Sequence, residues 1–510
     1  MIVDTLIIGA GGAGLTTALK LKENGVDDIL IVSKTYPTAS QTSQAQGGIN
    51  AVLDNKIDSI EAHIEDTFKS SHKLGDKDTI SYMCKQAPYV IKWLDNLGVS
   101  FSRDKDNKIA QRYLGGAKYK RACYSSDYTG IKIIHTLYDS CIKNNIKFLN
   151  EYMLLSLIIE NNTIKGVTVL ELATAKVHQI LASKVILATG GYGGIYYNHT
   201  TNSTATTADG IICAYKAGVK LSNMEFIQFH PTALKNSCIL IGESARGEGG
   251  YLITQDGKRF TDELQPRDIV SREIYKKILD NQEVFLDLRD LGEEKIKELL
   301  PQEYDIVKQF ANKELDKEPI SIVPAAHYSM GGIDVDIDGK TNIKNLFAVG
   351  ECANNKVHGA NRLGGNSLLE IIAFGLRVAD VIGKTSKENI IEKEYKEFYN
   401  DKQMITELLK KESSYESFYI YKDKVGDILF KNVGIFRSKE SLEDAIKQFD
   451  TILQKILKMG ISDKSYIYNT ELKEFLEFQN ILLCAKIVAK SALDRDISCG
   501  AHYRIDGENL

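Results

Sequence analysis

The apolar run Val3-Asp-Thr-Leu-Ile-Ile8 passes straight into Gly9-Ala-Gly-Gly-Ala-Gly14, then into a helical stretch through Leu21 and a second apolar run, Ile29-Leu-Ile-Val32. Strand, glycine turn, helix and strand make a βαβ unit, which commits this part of the chain to an α/β fold with a parallel sheet. Glycines at 9, 11, 12 and 14 let the chain turn tightly and bring a helix N-terminus close to a pyrophosphate. A purely structural turn is the competing reading, and the strand before the glycines weighs against it. Two later runs, Val185-Ile-Leu-Ala-Thr-Gly-Gly191 and Asn345-Leu-Phe-Ala-Val-Gly-Glu351, end in glycine in the same way. Three such endings predict one parallel sheet, interrupted by a large insertion, that collects ligand groups at the carboxyl ends of its strands.

The second strand ends in Ser33-Lys34, where a dinucleotide fold usually carries an acidic residue for the ribose. That argues against a generic NAD site. Just beyond, Thr38-Ala-Ser-Gln-Thr-Ser-Gln-Ala-Gln-Gly-Gly-Ile49 supplies hydroxyls, amides and glycines suited to a polar heterocycle and phosphates, although by composition alone it is equally a polar surface loop. A third glycine-rich stretch, His358-Gly-Ala-Asn-Arg-Leu-Gly-Gly-Asn-Ser367, sets Arg362 before an apolar helix beginning at Leu368. Glycines there let backbone close around an anion, so Arg362 is a candidate clamp for a carboxylate or phosphate.

At 510 residues the chain exceeds one core and predicts two or three domains. The region from 225 to 335, with polar turns such as Gln255-Asp-Gly-Lys258, reads as an inserted lid. From 386 onward Lys/Glu-rich segments with helical apolar spacing, such as Leu442 to Met459 and Leu472 to Leu493, predict a helical C-terminal domain. A formal charge of -4 gives no reason to expect a nucleic-acid partner. Eight scattered cysteines with no CxxC pair argue against a zinc or iron-sulfur site in this chain and fit a reducing cytoplasm. No apolar run approaches the ~20 residues that span a bilayer, and the first strand leaves no room for a signal sequence, so membrane association is expected only through a partner.

Taken in order, Gly9-Ala-Gly-Gly-Ala-Gly14, Ser33-Lys34, Gln46-Gly-Gly48, Ala188-Thr-Gly-Gly191, Gln228-Phe-His-Pro-Thr232, Arg246-Gly-Glu-Gly-Gly250, Arg267-Asp-Ile-Val270, His327-Tyr-Ser-Met-Gly-Gly332 and Gly350-Glu351 resemble the flavoprotein family of succinate dehydrogenase, fumarate reductase and L-aspartate oxidase. The resemblance implies FAD as cofactor. It also implies an α/β fold with a Rossmann-like FAD-binding domain (1–224 and 336–385), an inserted α+β capping domain (225–335) and a helical C-terminal domain (386–510). The implied cofactor contacts are Gly9, Gly11, Gly12, Gly14, Ser33, Lys34, Ser40, Gln41, Thr42, Gln46, Gly47, Gly48, Ala188, Thr189, Gly190, Asp209, Glu351, Ser367 and Leu368. Glu351 would reach the FAD ribose, and Ser367 and Leu368 would lie beside the isoalloxazine, where a helix N-terminus favours the reduced, anionic flavin.

The family's substrate residues fall on His230, His327 and Arg362, and its proton donor on Arg267. Fumarate has two carboxylates and no electrophilic carbonyl, so hydride from flavin N5 must add while both ends are gripped and the developing charge is stabilised. Arg suits a carboxylate bidentately and imidazoles donate N–H bonds, although each histidine alone could equally be structural. An Arg of solution pKa above ~12 can still protonate the far more basic carbanion. Glu243 and Arg246 match the relay that recharges it; a lone E-x-x-R pair could be a surface ion pair.

Three departures from the family pattern bear on the reading. Members with covalent flavin resemble Ser-His-Thr where this chain has Ser40-Gln41-Thr42, so FAD is expected to be noncovalent and the balance to tilt towards fumarate reduction. Leu114 in Arg112-Tyr-Leu-Gly-Gly116 stands where L-aspartate oxidases carry a carboxylate for the substrate amine. Gly242 stands where both branches usually have a threonine before Glu243, so one substrate-facing hydroxyl is missing. Arg362-Leu-Gly-Gly-Asn-Ser367 and Met330-Gly-Gly-Ile333 point to the C4-dicarboxylate enzymes, whereas Ala325-Ala326-His327 and the chain end soon after Arg504 are closer to L-aspartate oxidase, which stays open as the alternative. The expected partner is an iron-sulfur electron-transfer subunit, and the expected location is the cytoplasm or, through partners, the inner face of the cell membrane.

Overall fold

In a computed structural model describing residues 1–385 and 390–508, the central sheet runs, in spatial order, Lys147–Asn150, Ile29–Ser33, Ile2–Ile8, Lys176–Leu187, Thr163–Glu171 and Tyr152–Glu160. Leu346–Ala348 pairs with the last residues of Lys176–Leu187, Val185 to Leu187. All pairings from Lys147–Asn150 across to Leu346–Ala348 are parallel. The three strands that end in glycine are therefore neighbours in one sheet, as their common ending predicts. The first half of Lys176–Leu187 pairs antiparallel with Thr163–Glu171. Sequence analysis does not anticipate this extension, because Thr163–Glu171 is buried almost throughout and has lost the alternation that marks a half-exposed strand.

The glycine turn fits tightly under the sheet. Gly9 has φ +111°, and a Cβ there would sit 2.1 Å from the Ala188 carbonyl oxygen. The helix that follows, Gly12–Glu23, packs against the helix Asn366–Gly383, with Leu15, Ala18, Leu369 and Ile372 in one core with Ile7 and Ile31 of the sheet.

Between the second and third glycine-ended strands, a separate antiparallel sheet runs Ile227–Leu234, Ile320–Ser329, Val284–Asp287, Tyr251–Thr254. Helices Arg267–Leu279 and Pro301–Phe310 cover it, and Leu252, Val270, Ile274, Leu286 and Ile320 make its own core. This is the expected α+β insertion. The helices Lys396–Lys410, Phe418–Asn432, Lys439–Ile456 and Thr470–Asp494 form the C-terminal region. They do not enclose a separate core: Leu409, Phe418, Phe449 and Phe475 join Leu154, Val167 and Val185 of the sheet in one continuous cluster. The boundary expected at 386 falls on 386–389, outside the described residues. Among the described residues no helix is long and apolar enough to cross a membrane, and no group of three or more His, Cys, Asp or Glu could hold a metal.

Candidate active site

A cavity of about 1690 Å³, counted to its open mouth, lies between the carboxyl ends of the parallel strands and the inserted sheet. Every site residue expected from the sequence lines it except Gly14 and Arg246. Gly14 is packed beneath the turn, where a Cβ would meet the Gly9 carbonyl oxygen at 2.1 Å. Arg246 is buried behind Glu243.

At one end, the N-terminus of Gly12–Glu23 faces the cavity and the Gly12 N–H donates to Thr42 Oγ1 at 3.0 Å. Lys34 Nζ meets Asp209 Oδ2 and Glu477 Oε1, each at 2.6 Å. Burial alone would lower the Lys34 pKa, but the two carboxylates outweigh it and hold the ammonium charged. Asp209, expected against the cofactor, is thus also tied to Lys34 and to Asn480 of the last helix, which donates to it at 2.9 Å. Gln41 Oε1 accepts from the Ser203 N–H at 2.9 Å, which fixes the amide in the cavity wall.

Two buried polar atoms in this wall, Ser40 Oγ and Gln46 Oε1, have no partner within the protein, as groups meant for a polar ligand would. The glycine cradle, the helix N-terminus and these atoms fit FAD. Glu351, just beyond the third glycine-ended strand, accepts from Ser329 N–H and Oγ at 2.9 Å each, and burial pushes its carboxyl up to about 7. Gly365, at φ +82°, opens helix Asn366–Gly383, whose first turn brings Ser367 and Leu368 to the cavity as expected.

The other end is built around one buried carboxylate and three guanidinium groups. Arg267, at the start of helix Arg267–Leu279, donates to Glu243 Oε2 through Nη2 (2.5 Å) and Nε (3.2 Å), and through Nη1 to Gln228 Oε1 (3.1 Å). Arg362 donates to the same Gln228 oxygen at 3.1 Å, lies over the Tyr328 ring at 4.5 Å, and keeps a buried Nε with no protein partner. Arg246 Nη2 lies 3.7 Å from Glu243 Oε1, and that oxygen accepts from the Gly115 N–H at 3.0 Å. Burial pushes the Glu243 carboxyl up, but Arg267 and then Arg246 outweigh it and keep it below its ordinary value. Burial and the neighbouring Arg267 push Arg362 down to about 9.

The His230 and His327 rings stand 4.9 Å apart, and Thr201 Oγ1 lies 2.8 Å from His327 Nδ1. Burial, reinforced by Arg267, holds both imidazoles well below their ordinary pKa. They are neutral donors, and the positive charge of the site belongs to the arginines. Sequence reasoning assigned no role to Gln228, Thr201, Tyr328, Glu303 or Glu477. Gln228 stands two residues before His230 in the same strand, which could have flagged it. Tyr328 follows His327 directly in its strand and could have been flagged the same way, whereas Thr201, Glu303 and Glu477 come from other segments and carry no local signal.

Residues 4–368 match the family model of the FAD binding domain, and residues 422–509 that of the fumarate reductase flavoprotein C-terminus. The succinate dehydrogenase flavoprotein subunit of Rickettsia bellii is 38% identical, with 99% of this chain and 90% of the relative covered. The 8-methylmenaquinol:fumarate reductase flavoprotein subunit of Wolinella succinogenes is 37% identical, covering 99% and 86%. Among solved structures, a mutant E. coli quinol fumarate reductase chain superposes with a TM-score of 0.93 at 32% identity, over 99% of this chain and 91% of that one. A quinol-fumarate reductase with menaquinol molecules gives 0.94 at 33% identity, over 99% and 92%.

Proposed function

Because the chain belongs to the family of succinate dehydrogenase and fumarate reductase flavoprotein subunits, FAD-dependent oxidoreductases, we propose that it interconverts fumarate and succinate, chiefly as a fumarate reductase, with FAD held noncovalently. The observation that carries this reading is the shared Gln228 oxygen: it holds Arg267 and Arg362 side by side, each at 3.1 Å, on the wall of the cavity that also holds His230 and His327. FAD, once bound and reduced, would supply the hydride.

Arg362, with Nε unengaged by protein, takes one substrate carboxylate, and the neutral imidazoles donate N–H bonds to the dicarboxylate. A carboxylate here gains from a water-poor setting where each aimed donor counts for more than in bulk water. Arg267 gives its proton to the olefinic carbon that does not receive hydride. The π bond is consumed, two C–H bonds form, and succinate and a neutral guanidine remain. Glu243 and Arg246, in line behind Arg267, return a proton to it. The main-chain carbonyl of Glu263 orients Arg246 by accepting from Nη1 at 2.5 Å, and its side-chain carboxylate pairs at 2.7 Å with the half-exposed Arg259.

Electrons reach the site from an iron-sulfur partner subunit, and any contact with the inner face of the cell membrane is made through partners. Leu114, on the cavity wall, offers nothing to a substrate ammonium, which speaks against L-aspartate oxidation. The test is turnover by purified holoprotein: fumarate with a reduced viologen is expected to yield succinate, and L-aspartate with oxygen no peroxide. Aspartate-dependent peroxide without fumarate reduction would reverse the reading.

A further inference from the structure

Gly242, directly before Glu243, has no side chain, and the space beside it is filled from other elements. A Cβ at Gly242 would lie 2.7 Å from Glu303 Oε1 and 2.5 Å from Gln46 Oε1. Glu303 belongs to the first turn of helix Pro301–Phe310, in the inserted region, and is fully buried. Its Oε1 accepts from the Gly242 N–H at 2.9 Å and from Ser244 Oγ at 3.1 Å, the residues on either side of Glu243. Its own N–H donates to Asp127 Oδ2 at 2.9 Å, which ties this helix to the loop before helix Thr129–Lys143.

We propose that Glu303 is a positioning residue for the reaction, standing in for the absent side chain at 242. It clasps the turn that carries Glu243 and so sets the Glu243 carboxylate against Arg267. The inference rests on the dicarboxylate reading of the site.

Three observations support the clasp. The turn has no side-chain cap of its own, since helix Glu243–Gly247 follows Gly242, and Glu303 holds it from outside through the Gly242 N–H and the Ser244 hydroxyl. Glu303 Oε1 can leave only by giving up both hydrogen bonds, so 242 and 303 compete for one volume. Finally, burial and the neighbouring Asp127 push the Glu303 carboxyl up to about 8, which suits a neutral acid that accepts through Oε1 and keeps its proton on Oε2, an atom with no protein partner. Glutamine can make the same two contacts through its amide oxygen; an aliphatic side chain can make neither.

The test is a cycle at positions 242 and 303 in the FAD-loaded protein, read by viologen-driven fumarate turnover and thermal unfolding. Glu303→Leu is expected to lower kcat about tenfold or more with KM for fumarate and bound FAD little changed, and Glu303→Gln to stay within about threefold of wild type. Gly242→Thr alone is expected to lower both kcat and Tm, and Gly242→Thr combined with Glu303→Ala to recover part of both, because shortening residue 303 removes one of the two oxygens that threonine would meet, Gln46 Oε1 being the other. Full kcat in Glu303→Leu, or a threonine at 242 whose cost is the same with and without the Glu303 carboxyl, overturns the proposal. A wild-type holoprotein that reduces no fumarate overturns the reading of the activity, and the Tm cycle then decides separately whether 242 and 303 share one space.

Discussion

Replacing Arg267 by lysine keeps the charge and removes the fork. Arg267 makes three contacts, two to Glu243 Oε2 at 2.5 and 3.2 Å and one to Gln228 Oε1 at 3.1 Å. A single ammonium nitrogen on a flexible stem can keep only one of them in that geometry. Hydrogen bonds involving a charged group contribute ~1.5–3 kcal/mol each, so losing two amounts to ~3–6 kcal/mol of orientation. At ~1.4 kcal/mol per tenfold, that corresponds to ~10²–10⁴ in kcat. A positioned general acid is by itself worth ~10²–10⁴, and because the same fork provides both effects they overlap rather than multiply. The expected fall in fumarate turnover for Arg267→Lys is ~10²–10⁴-fold. Bound FAD should remain at the wild-type ratio, since Arg267 belongs to the substrate end of the cavity. The assay is viologen-driven fumarate reduction beside the flavin absorbance per protein. Turnover within tenfold of wild type at full FAD occupancy would remove Arg267 from the proton-donating role.

Other perturbations separate the remaining parts of the site. Arg362→Gln should lower kcat/KM for fumarate by at least ~10²-fold, because it deletes the cation whose free Nε is available to a carboxylate; an unchanged kcat/KM would locate that carboxylate elsewhere. Thr201→Val removes the hydroxyl 2.8 Å from His327 Nδ1, and losing about one neutral hydrogen bond predicts a ~3–10-fold drop in kcat/KM without loss of FAD; no change would show that the ring is held by packing alone. Glu303 makes stability depend on pH: its carboxyl is raised from 4.5 to about 8 on folding, so its contribution is fully present below 4.5 and is lost as pH rises towards 8. Denaturant unfolding of Glu303→Gln should therefore gain on wild type across that window, and a difference independent of pH would refute the shift. Acid precipitation should leave the yellow flavin in the supernatant, because Gln41 has no imidazole to bond it; a fluorescent pellet would refute noncovalent binding.

The cofactor half of the site was legible because its chemistry is local. A strand, a glycine turn and a helix N-terminus form from consecutive residues, and Gly9 can take φ +111° against the Ala188 carbonyl only because it has no side chain. The two other glycine-ended strands carried the same local mark, so the parallel sheet followed from the chain alone. The antiparallel extension Tyr152–Glu160 and Thr163–Glu171 did not, since neither strand alternates buried with exposed residues, and Thr163–Glu171 is buried over most of its length.

At the end of the cavity proposed for the substrate the sequence by itself determined residue types and their order: His230, Glu243, Arg246, Arg267, His327 and Arg362 were each visible. Only the tertiary structure decided what those types become. Burial beside Arg267 makes the two histidines neutral, and a lone glutamine oxygen sets Arg267 and Arg362 side by side. The gap at Gly242 was equally plain in the sequence, but the carboxyl that fills it comes from a residue 61 positions away. Charge state, register of side chains and shared volume depend on desolvation and on contacts between segments far apart in the chain, and these exist only once the cores have closed.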